Sequence, residues 1–422
     1  MYGRPVWAVF CALGDTGCAS VARGRGTMKA VILAGGPEVP KCPLSVVRPK
    51  ALFPLIQDVI VGRLLRALHN TDVDEAIICA NGKTRVLKEH FLRTAPDLLS
   101  LAFSDDELPR GAAGCLKDAE GFIGGGSFLV VESSLFLDGG IRELVERHRA
   151  AGAAMTIAAV PAWEGRRDAE LGGCGVPLAP LGVYVAEPEV LDRIPSHGYF
   201  DLKEQLVPKL RAAGADVLVS QYRGRYRVVA HASSYASLVQ ELLDGELGLE
   251  DFAGLREVER QVWVTDSAQV ASSAVLVGPV VVGAGAVIEA EAVVAGPSLV
   301  GEQVGIGTGA FVSGSILWPG CRIGAGASVE RSIVTDHFRV AEMARLSHSV
   351  AVDTSLRVGE ARGFDQRGYL VRAQGTPAAV AEKPRGLRGA LSGLWRGLRG
   401  GGQGGRDQAP AETSAGEELS AK

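Results

Sequence analysis

The sequence predicts an α/β fold, a mostly parallel sheet domain over residues 28–245, followed by a parallel β-helix over residues 246–350. Two periodicities predict it. Between Met28 and Gly245 short apolar runs alternate with helical patterns, the order of a doubly wound, Rossmann-like sheet covered on both faces. From Val262 to about Val329 small and branched apolar residues return every six positions, a period that belongs to neither an ordinary helix nor an ordinary strand. The two ends of the chain, residues 1–27 and 351–422, carry neither pattern.

Residues 1–27 contain one short apolar run from Val6 to Leu13, with Arg4 alone before it and Asp15 and basic residues after it. A signal peptide is the lesser reading. The stretch reads as a disordered extension or a start codon set too early, because Met28-Lys29-Ala30 begins a strand cleanly. Strands are then expected at 29–34, 75–80, 100–103, 128–131, 155–160 and 217–221, and helices at 59–69, 84–92, 112–123, 140–150, 202–212 and 234–243. In the first helix Ile60, Leu64 and Leu68 form a core-facing stripe at i, i+4 and i+8.

In the hexad region one column runs Val264, Val270, Leu276, Val282, Ile288, Val294, Val300, Ile306, Val312, Trp318. A second runs Val262, Ala268, Ala274, Val280, Ala286, Ala292, Ser298, Val304, Ala310, Ile316. Small residues in one column and branched ones in the other suit a narrow triangular coil whose corners fall at glycines such as Gly283, Gly285, Gly305 and Gly307. This resembles the left-handed β-helix of hexapeptide-repeat proteins, at three hexads per coil and three to four turns. The tail beyond 350 reads as mostly disordered. Residues 383–400 form a basic, Leu- and Trp-bearing segment that reads as a membrane-surface or partner-docking element, or as a plain linker weakened for helix by Gly386, Gly389, Gly393 and Gly397.

Composition narrows the function. The chain has 422 residues, 47% apolar, with a net charge of −4, which excludes a nucleic-acid binder held by basic charge. Seven cysteines are scattered singly without a paired spacing, which argues for a reducing, cytoplasmic compartment and against a zinc site. No apolar run reaches the length of a membrane span.

The stretch from Val31 to Leu55 reads VILAGGPEVPKCPLSVVRPKALFPL. A strand that breaks at paired glycines lets the backbone approach a phosphate, with amide N–H groups as donors. Leu33-Ala34-Gly35-Gly36, Pro43-Leu44, Pro49-Lys50, Leu52 and Pro54 stand in register with the signature LAGGxGTRxxPLTxxxPKxLxP. In these residues the chain resembles the sugar-1-phosphate nucleotidyltransferases, of the mannose-1-phosphate guanylyltransferase and glucose-1-phosphate nucleotidylyltransferase kind. The resemblance implies a Rossmann-like nucleotidyltransferase domain with a C-terminal left-handed β-helix. It implies in-line attack of a sugar-1-phosphate oxygen on a nucleoside triphosphate, with displacement of pyrophosphate. It also implies an Arg and a Lys at the phosphates, two Asp residues holding Mg²⁺, and a Glu-Lys pair at the sugar phosphate.

Carried over residue by residue, the Lys is Lys50, but the Arg falls on Pro40, and the adjacent Lys41 cannot supply a planar fork. The first Asp falls on Ser134, two residues after Glu132, and the second on Val228. A valine cannot hold a hard divalent cation. No Glu-Lys-Pro lies between 160 and 181, and Glu382-Lys383-Pro384 in the tail reads as coincidence. Gly111-Ala112-Ala113-Gly114 matches the family's Gly-Thr-Ala-Gly. The expected nucleotide- and phosphate-binding set is Leu33, Ala34, Gly35, Gly36, Lys50, Gly111 and Gly114, with no catalytic residue, no metal ligand and no cofactor.

The first functional reading is a catalytically silent homologue that binds a sugar nucleotide or nucleoside triphosphate. It would act as a homo-oligomer, or as the regulatory partner of an active paralogue through the β-helix. The alternative is an active sugar-1-phosphate nucleotidyltransferase using replacement ligands such as Glu132 and Lys41. A hexapeptide-repeat acyltransferase is the third, and it lacks a His between Val262 and Asp336 to serve as general base. His231, beside the second lost Asp position, reads as structural.

Overall fold

β1 (Met28–Leu33) is a branched apolar run lying between two parallel neighbours, the environment that favours such runs. A computed structural model describes residues 28–35, 42–81, 84–94, 99–106, 110–162, 178–245, 254–352 and 370–372. The expectations for residues 1–27, for Gly36, Pro40 and Lys41, and for the tail segment 383–400 lie outside these. After β1 come two 3-10 turns, Pro43–Val46 and Lys50–Leu52, and a tight hairpin of β2 (Pro54–Leu55) and β3 (Asp58–Val59). The chain continues through α1 (Ile60–His69), β4 (Val73–Asn81), α2 (Thr84–Thr94), β5 (Ser100–Asp106), α3 (Gly111–Asp118), α4 (Glu120–Ile123), β6 (Phe128–Glu132) and β7 (Leu135–Asp138). It completes the sheet with α5 (Ile141–Ala151), β8 (Met155–Pro161), β9 (Leu178–Ala186), α6 (Val207–Ala212), β10 (Val217–Gln221), β11 (Arg225–Val228) and α7 (Ala232–Leu243).

The seven-stranded sheet has the order β10-β8-β9-β6-β1-β4-β5 and is parallel except at β9. From β1 the chain moves outward to β4 and β5, then returns to lay β6 on the other side of β1. That reversal makes a crevice at the carboxyl ends of β1 and β6, where open α/β sheets place their ligands. Strand β9 escapes the sequence pattern because it is buried on both faces and interrupted by Pro180 and Gly182. The helix expected over 112–123 is two pieces, α3 and α4. The one expected over 202–212 opens with a π turn, Leu202–Leu206, before α6, whose first turn carries Pro208 and therefore one N–H fewer.

The hexad region is a parallel β-helix. Its first face stacks Val262–Thr265, Val280–Val282, Ser298–Val300, Ile316–Leu317, Ile333–Val334 and Val350–Val352. The other two faces begin at Gln269–Val270 and Val275–Val277 and each stack five strands. The coil runs past the three to four turns expected. The rungs repeat every 18 residues as far as Val280 opposite Ser298, then every 17, with Leu299 opposite Ile316 and Ile316 opposite Ile333. Losing one residue at a corner flips strand parity. Leu317 therefore enters the interior beside Val300 and Val334, and Trp318 leaves the column to which the six-residue period assigns it. Inside, the small column continues as serines: Ser315 N–H donates to Ser298 Oγ, Ser332 N–H to Ser315 Oγ and Ser349 N–H to Ser332 Oγ, at 3.1–3.2 Å.

The outward residues of the first face are apolar and buried. Val281, Leu299, Ile316 and Ile333 pack with Leu238, Val239 and Leu242 of α7 and with Leu44, Phe53 and Leu55 of the signature stretch. The signature stretch is thus gripped on one side by the sheet domain and on the other by the β-helix.

Candidate functional site

The crevice floor is the carboxyl end of β1. Leu33 pairs with Glu132 of β6, Ser133 N–H donates to the Leu33 carbonyl at 3.1 Å, and Ala34 N–H donates to the Cys79 carbonyl at 2.7 Å. Leu33 and Ala34 are half-buried and pack on opposite faces, Leu33 with the α3 side and Ala34 with the α1 side. Gly35 follows at the crevice, so three of the four expected loop residues are described there, and Gly36 lies outside the described residues.

Lys50 opens its 3-10 turn half-buried, and its charge opposes the upward push that burial gives the Cys42 thiol. Two residues earlier, Arg48 does what the sequence did not suggest. Its Nε donates to Asp336 Oδ2 of the β-helix at 2.8 Å, one terminal nitrogen also meets that oxygen, and the other donates to the Leu52 carbonyl at 3.2 Å. Its guanidinium carbon lies 5.2 Å from the Trp318 ring centroid. Asp336 is buried enough that desolvation raises its carboxyl above the ordinary range, against the pull of Arg48.

Gly111 and Gly114 sit at the start of α3, but their close approach is to their own chain. Ala113 and Gly114 both donate their N–H groups to the Phe200 carbonyl at 3.1 Å, and Phe200 N–H returns a bond to the Arg110 carbonyl at 2.7 Å. Gly111 has a φ of +78°, and a Cβ there would lie 2.6 Å from the Phe200 oxygen. The Ala113 and Gly114 amides already have an acceptor, because the segment before residue 202 folds back over the helix start.

The two positions aligned with the metal Asp residues do come together. Strand β11 pairs antiparallel with β7, Val228 opposite Leu135, and Val229 N–H donates to the Ser134 carbonyl at 3.0 Å. Neither carries a carboxylate. The nearby acid, Glu132, is engaged elsewhere: its Oε1 lies 2.9 Å from Lys203 Nζ, and its carboxylate lies over Gly182, where a Cβ would come within 2.7 Å of the Glu132 carboxyl carbon. Among the described residues no three His, Cys, Asp or Glu side chains gather as a metal would require. A hard divalent cation wants several oxygen ligands with negative charge. Ser134, Val228 and a lysine-bound Glu132 do not fit one. His231 caps α7 together with Ser234, a structural role.

Lys203, Phe200 and Asp336 were missed in sequence because each meets its partner across a long stretch of chain. Only Asp201, an N-cap residue before an expected helix, offered a local sign.

Residues 29–169 match the nucleotidyl transferase family model, and residues 258–362 match the model of the GMPPB C-terminal domain. With the signature residues of β1 and the 3-10 turns in place, this decides the family. The chain belongs to the sugar-1-phosphate nucleotidyltransferases. The chain is 25% identical over 317 residues to a UTP–glucose-1-phosphate uridylyltransferase of Synechocystis, covering 62% of this chain and 80% of the relative. It is 23% identical over 316 residues to a mannose-1-phosphate guanylyltransferase of Mycobacterium tuberculosis, covering 70% of this chain and 81% of the relative. Among solved structures, HddC from Yersinia pseudotuberculosis aligns over 51% of this chain and 100% of its own, with 18% identity and a TM-score of 0.45. No helix among the described residues is long and apolar enough to cross a membrane.

Proposed function

We propose that this nucleotidyltransferase homologue is catalytically silent and binds a sugar nucleotide, or a nucleoside triphosphate, without a divalent metal. The observation that carries this is the meeting of Ser134 with Val228 at the end of the β7–β11 pair, both lacking a carboxylate, while Glu132 is held by Lys203. In-line nucleotidyl transfer places several negative charges close together and depends on cations to neutralise them. Without metal ligands the phosphates can be held, but the transfer lacks the divalent charge that would stabilise its transition state. The protein then serves as a cytoplasmic binding or regulatory subunit, associating with itself or with an active paralogue through the β-helix faces that the sheet domain leaves uncovered, where Val275 and Val287 are exposed.

Calorimetric titration with GDP-mannose, UDP-glucose and nucleoside triphosphates, with Mg²⁺ and with EDTA, tests the reading. Equal affinity in both conditions and no pyrophosphate release from any triphosphate with mannose- or glucose-1-phosphate are expected. Magnesium-dependent binding together with pyrophosphate release overturns it in favour of an active enzyme with replacement ligands.

A further inference from the structure

Lys203 stands over the crevice between β1 and β6 on a firmly held backbone. Asp201 Oδ1 accepts the N–H groups of Lys203 and Glu204 at 2.7 and 2.9 Å. The preceding residue, Phe200, is tied to the start of α3 and to Arg110 by three backbone hydrogen bonds. From there Nζ reaches Glu132 Oε1 at 2.9 Å, at the residue of β6 that pairs with Leu33. Gly182, at φ +97°, leaves the space into which the Glu132 carboxylate lies back. The pair is not sealed, since the Lys203 side chain is 40% exposed and that of Glu132 34%. Beneath it, Tyr184 of β9 is buried, yet its hydroxyl has no hydrogen-bond partner among the described residues. Tyr184 pairs with Val130, two residues before Glu132 on β6, and packs in one cluster with Leu33 and Leu202, so it lies on the same face of the sheet as Glu132. A buried hydroxyl ordinarily has a partner.

We propose that Lys203 is the resident cation of this site, receiving a phosphate oxygen of a sugar nucleotide where the family uses a divalent metal, with the Tyr184 hydroxyl serving a polar group of the same ligand. This rests on the reading of the protein as a metal-independent sugar-nucleotide binder, and adds the residues that do the holding. Glu132 is in this account the counter-ion that keeps the ammonium in place when no ligand is bound. An incoming phosphate displaces it, exchanging one anion for another at a fixed cation. A single ammonium on a pinned backbone neutralises one phosphate charge and fixes position. It does not supply the bridging of two phosphates that a metal ion provides, so binding without turnover follows from the same residue.

The test is titration of the full-length protein in EDTA with GDP-mannose and UDP-glucose, comparing wild type with Lys203→Gln, Lys203→Arg, Glu132→Gln and Tyr184→Phe. Losing a charge-assisted hydrogen bond should make Lys203→Gln weaker by on the order of tenfold or more. Lys203→Arg should retain affinity within a few-fold, which separates lost charge from lost folding. Glu132→Gln releases the ammonium and should leave binding unchanged or tighter, the opposite of what a metal ligand or general base would show. Tyr184→Phe should weaken binding several-fold while the melting temperature holds or rises. Wild-type affinity in Lys203→Gln, or loss of binding in Glu132→Gln, overturns the role of Lys203 and leaves metal-independent binding standing. Wild-type protein that binds neither probe, or binds only with Mg²⁺, overturns both.

Discussion

Trp318 Nε1 donates to the Tyr235 hydroxyl at 3.0 Å, and that hydroxyl donates to the Pro54 carbonyl at 2.6 Å. A β-helix corner, the last helix of the sheet domain and the last proline of the nucleotidyltransferase signature are thus joined through one fully buried oxygen. Phe53 completes the cluster, its ring centroid 5.3 Å from those of both Tyr235 and Trp318. The arrangement exists because the coil shortens from 18 to 17 residues and turns Trp318 outward.

Replacing Tyr235 with Phe keeps the ring packing and removes one oxygen that serves two partners. Both the indole N–H and the Pro54 carbonyl are then left buried without that bond, and the loss should be roughly 1–3 kcal/mol. Urea denaturation of full-length protein checks this through the midpoint. An unchanged midpoint would mean the β-helix and the signature stretch are not energetically joined at Tyr235.

Asp58 offers a pH-dependent test. Burial raises its carboxyl above the ordinary 3.8, opposed by the Val59 N–H and by Arg66 at 3.0 Å and Arg63. A raised folded pKa means the folded state binds more protons than the unfolded state between the two values, so stability falls as pH rises through that window and stays reduced above it. The neutral isostere in Asp58→Asn should therefore melt higher than wild type at pH 7. The difference should shrink as pH falls through the raised pKa toward about 4. A lower melting temperature for the variant across the whole range would mean the ion pair with Arg66 outweighs burial.

Cys321 lies fully buried in the β-helix, and burial, aided by the Asp336 charge, pushes its thiol up to about 12. Thiolate is the reactive form. Peptide mapping after iodoacetamide treatment at pH 8 should find Cys321 unlabelled in native protein and labelled once denaturant opens the coil. Native labelling would place the thiol near solvent.

Gly111→Ala probes the start of α3. A side chain there must adopt a left-handed φ and would meet the Phe200 carbonyl. Such strain costs roughly 1–3 kcal/mol. The variant should lose stability, with faster proteolysis of the 198–206 segment, in the complete absence of nucleotide. Loss of nucleotide affinity at wild-type stability would instead support Gly111 as part of the binding set.

Local pattern carried far into this protein. Residues 128–131 and 217–221 read as strands because apolar runs leave little choice, and the order of elements implied a doubly wound sheet, while the placing of β6 beside β1 came from the structure. The signature around Gly35 and Pro49-Lys50 was legible for the same reason, since paired glycines and a Pro-Lys pair are local devices. The hydrogen bonding at the start of α3 was not, because the acceptor that the Ala113 and Gly114 amides meet belongs to Phe200, almost ninety residues away. The hexad count read the first coils correctly and misplaced Trp318, because a single residue lost at a corner is invisible to a period of six.

By itself, the sequence determined the two architectures, their order along the chain, the family signature, and the absence of carboxylates at Ser134 and Val228. Those follow from side-chain identity and short-range periodicity, which survive without knowledge of what packs against what. Only the tertiary structure decided that Ser134 and Val228 meet, that Glu132 turns to Lys203, and that Arg48 and Trp318 bind the signature stretch to the β-helix. Each is a pairing of charge, hydrogen-bond donor or volume between residues far apart in sequence, and such pairings come into being only when the chain closes on itself.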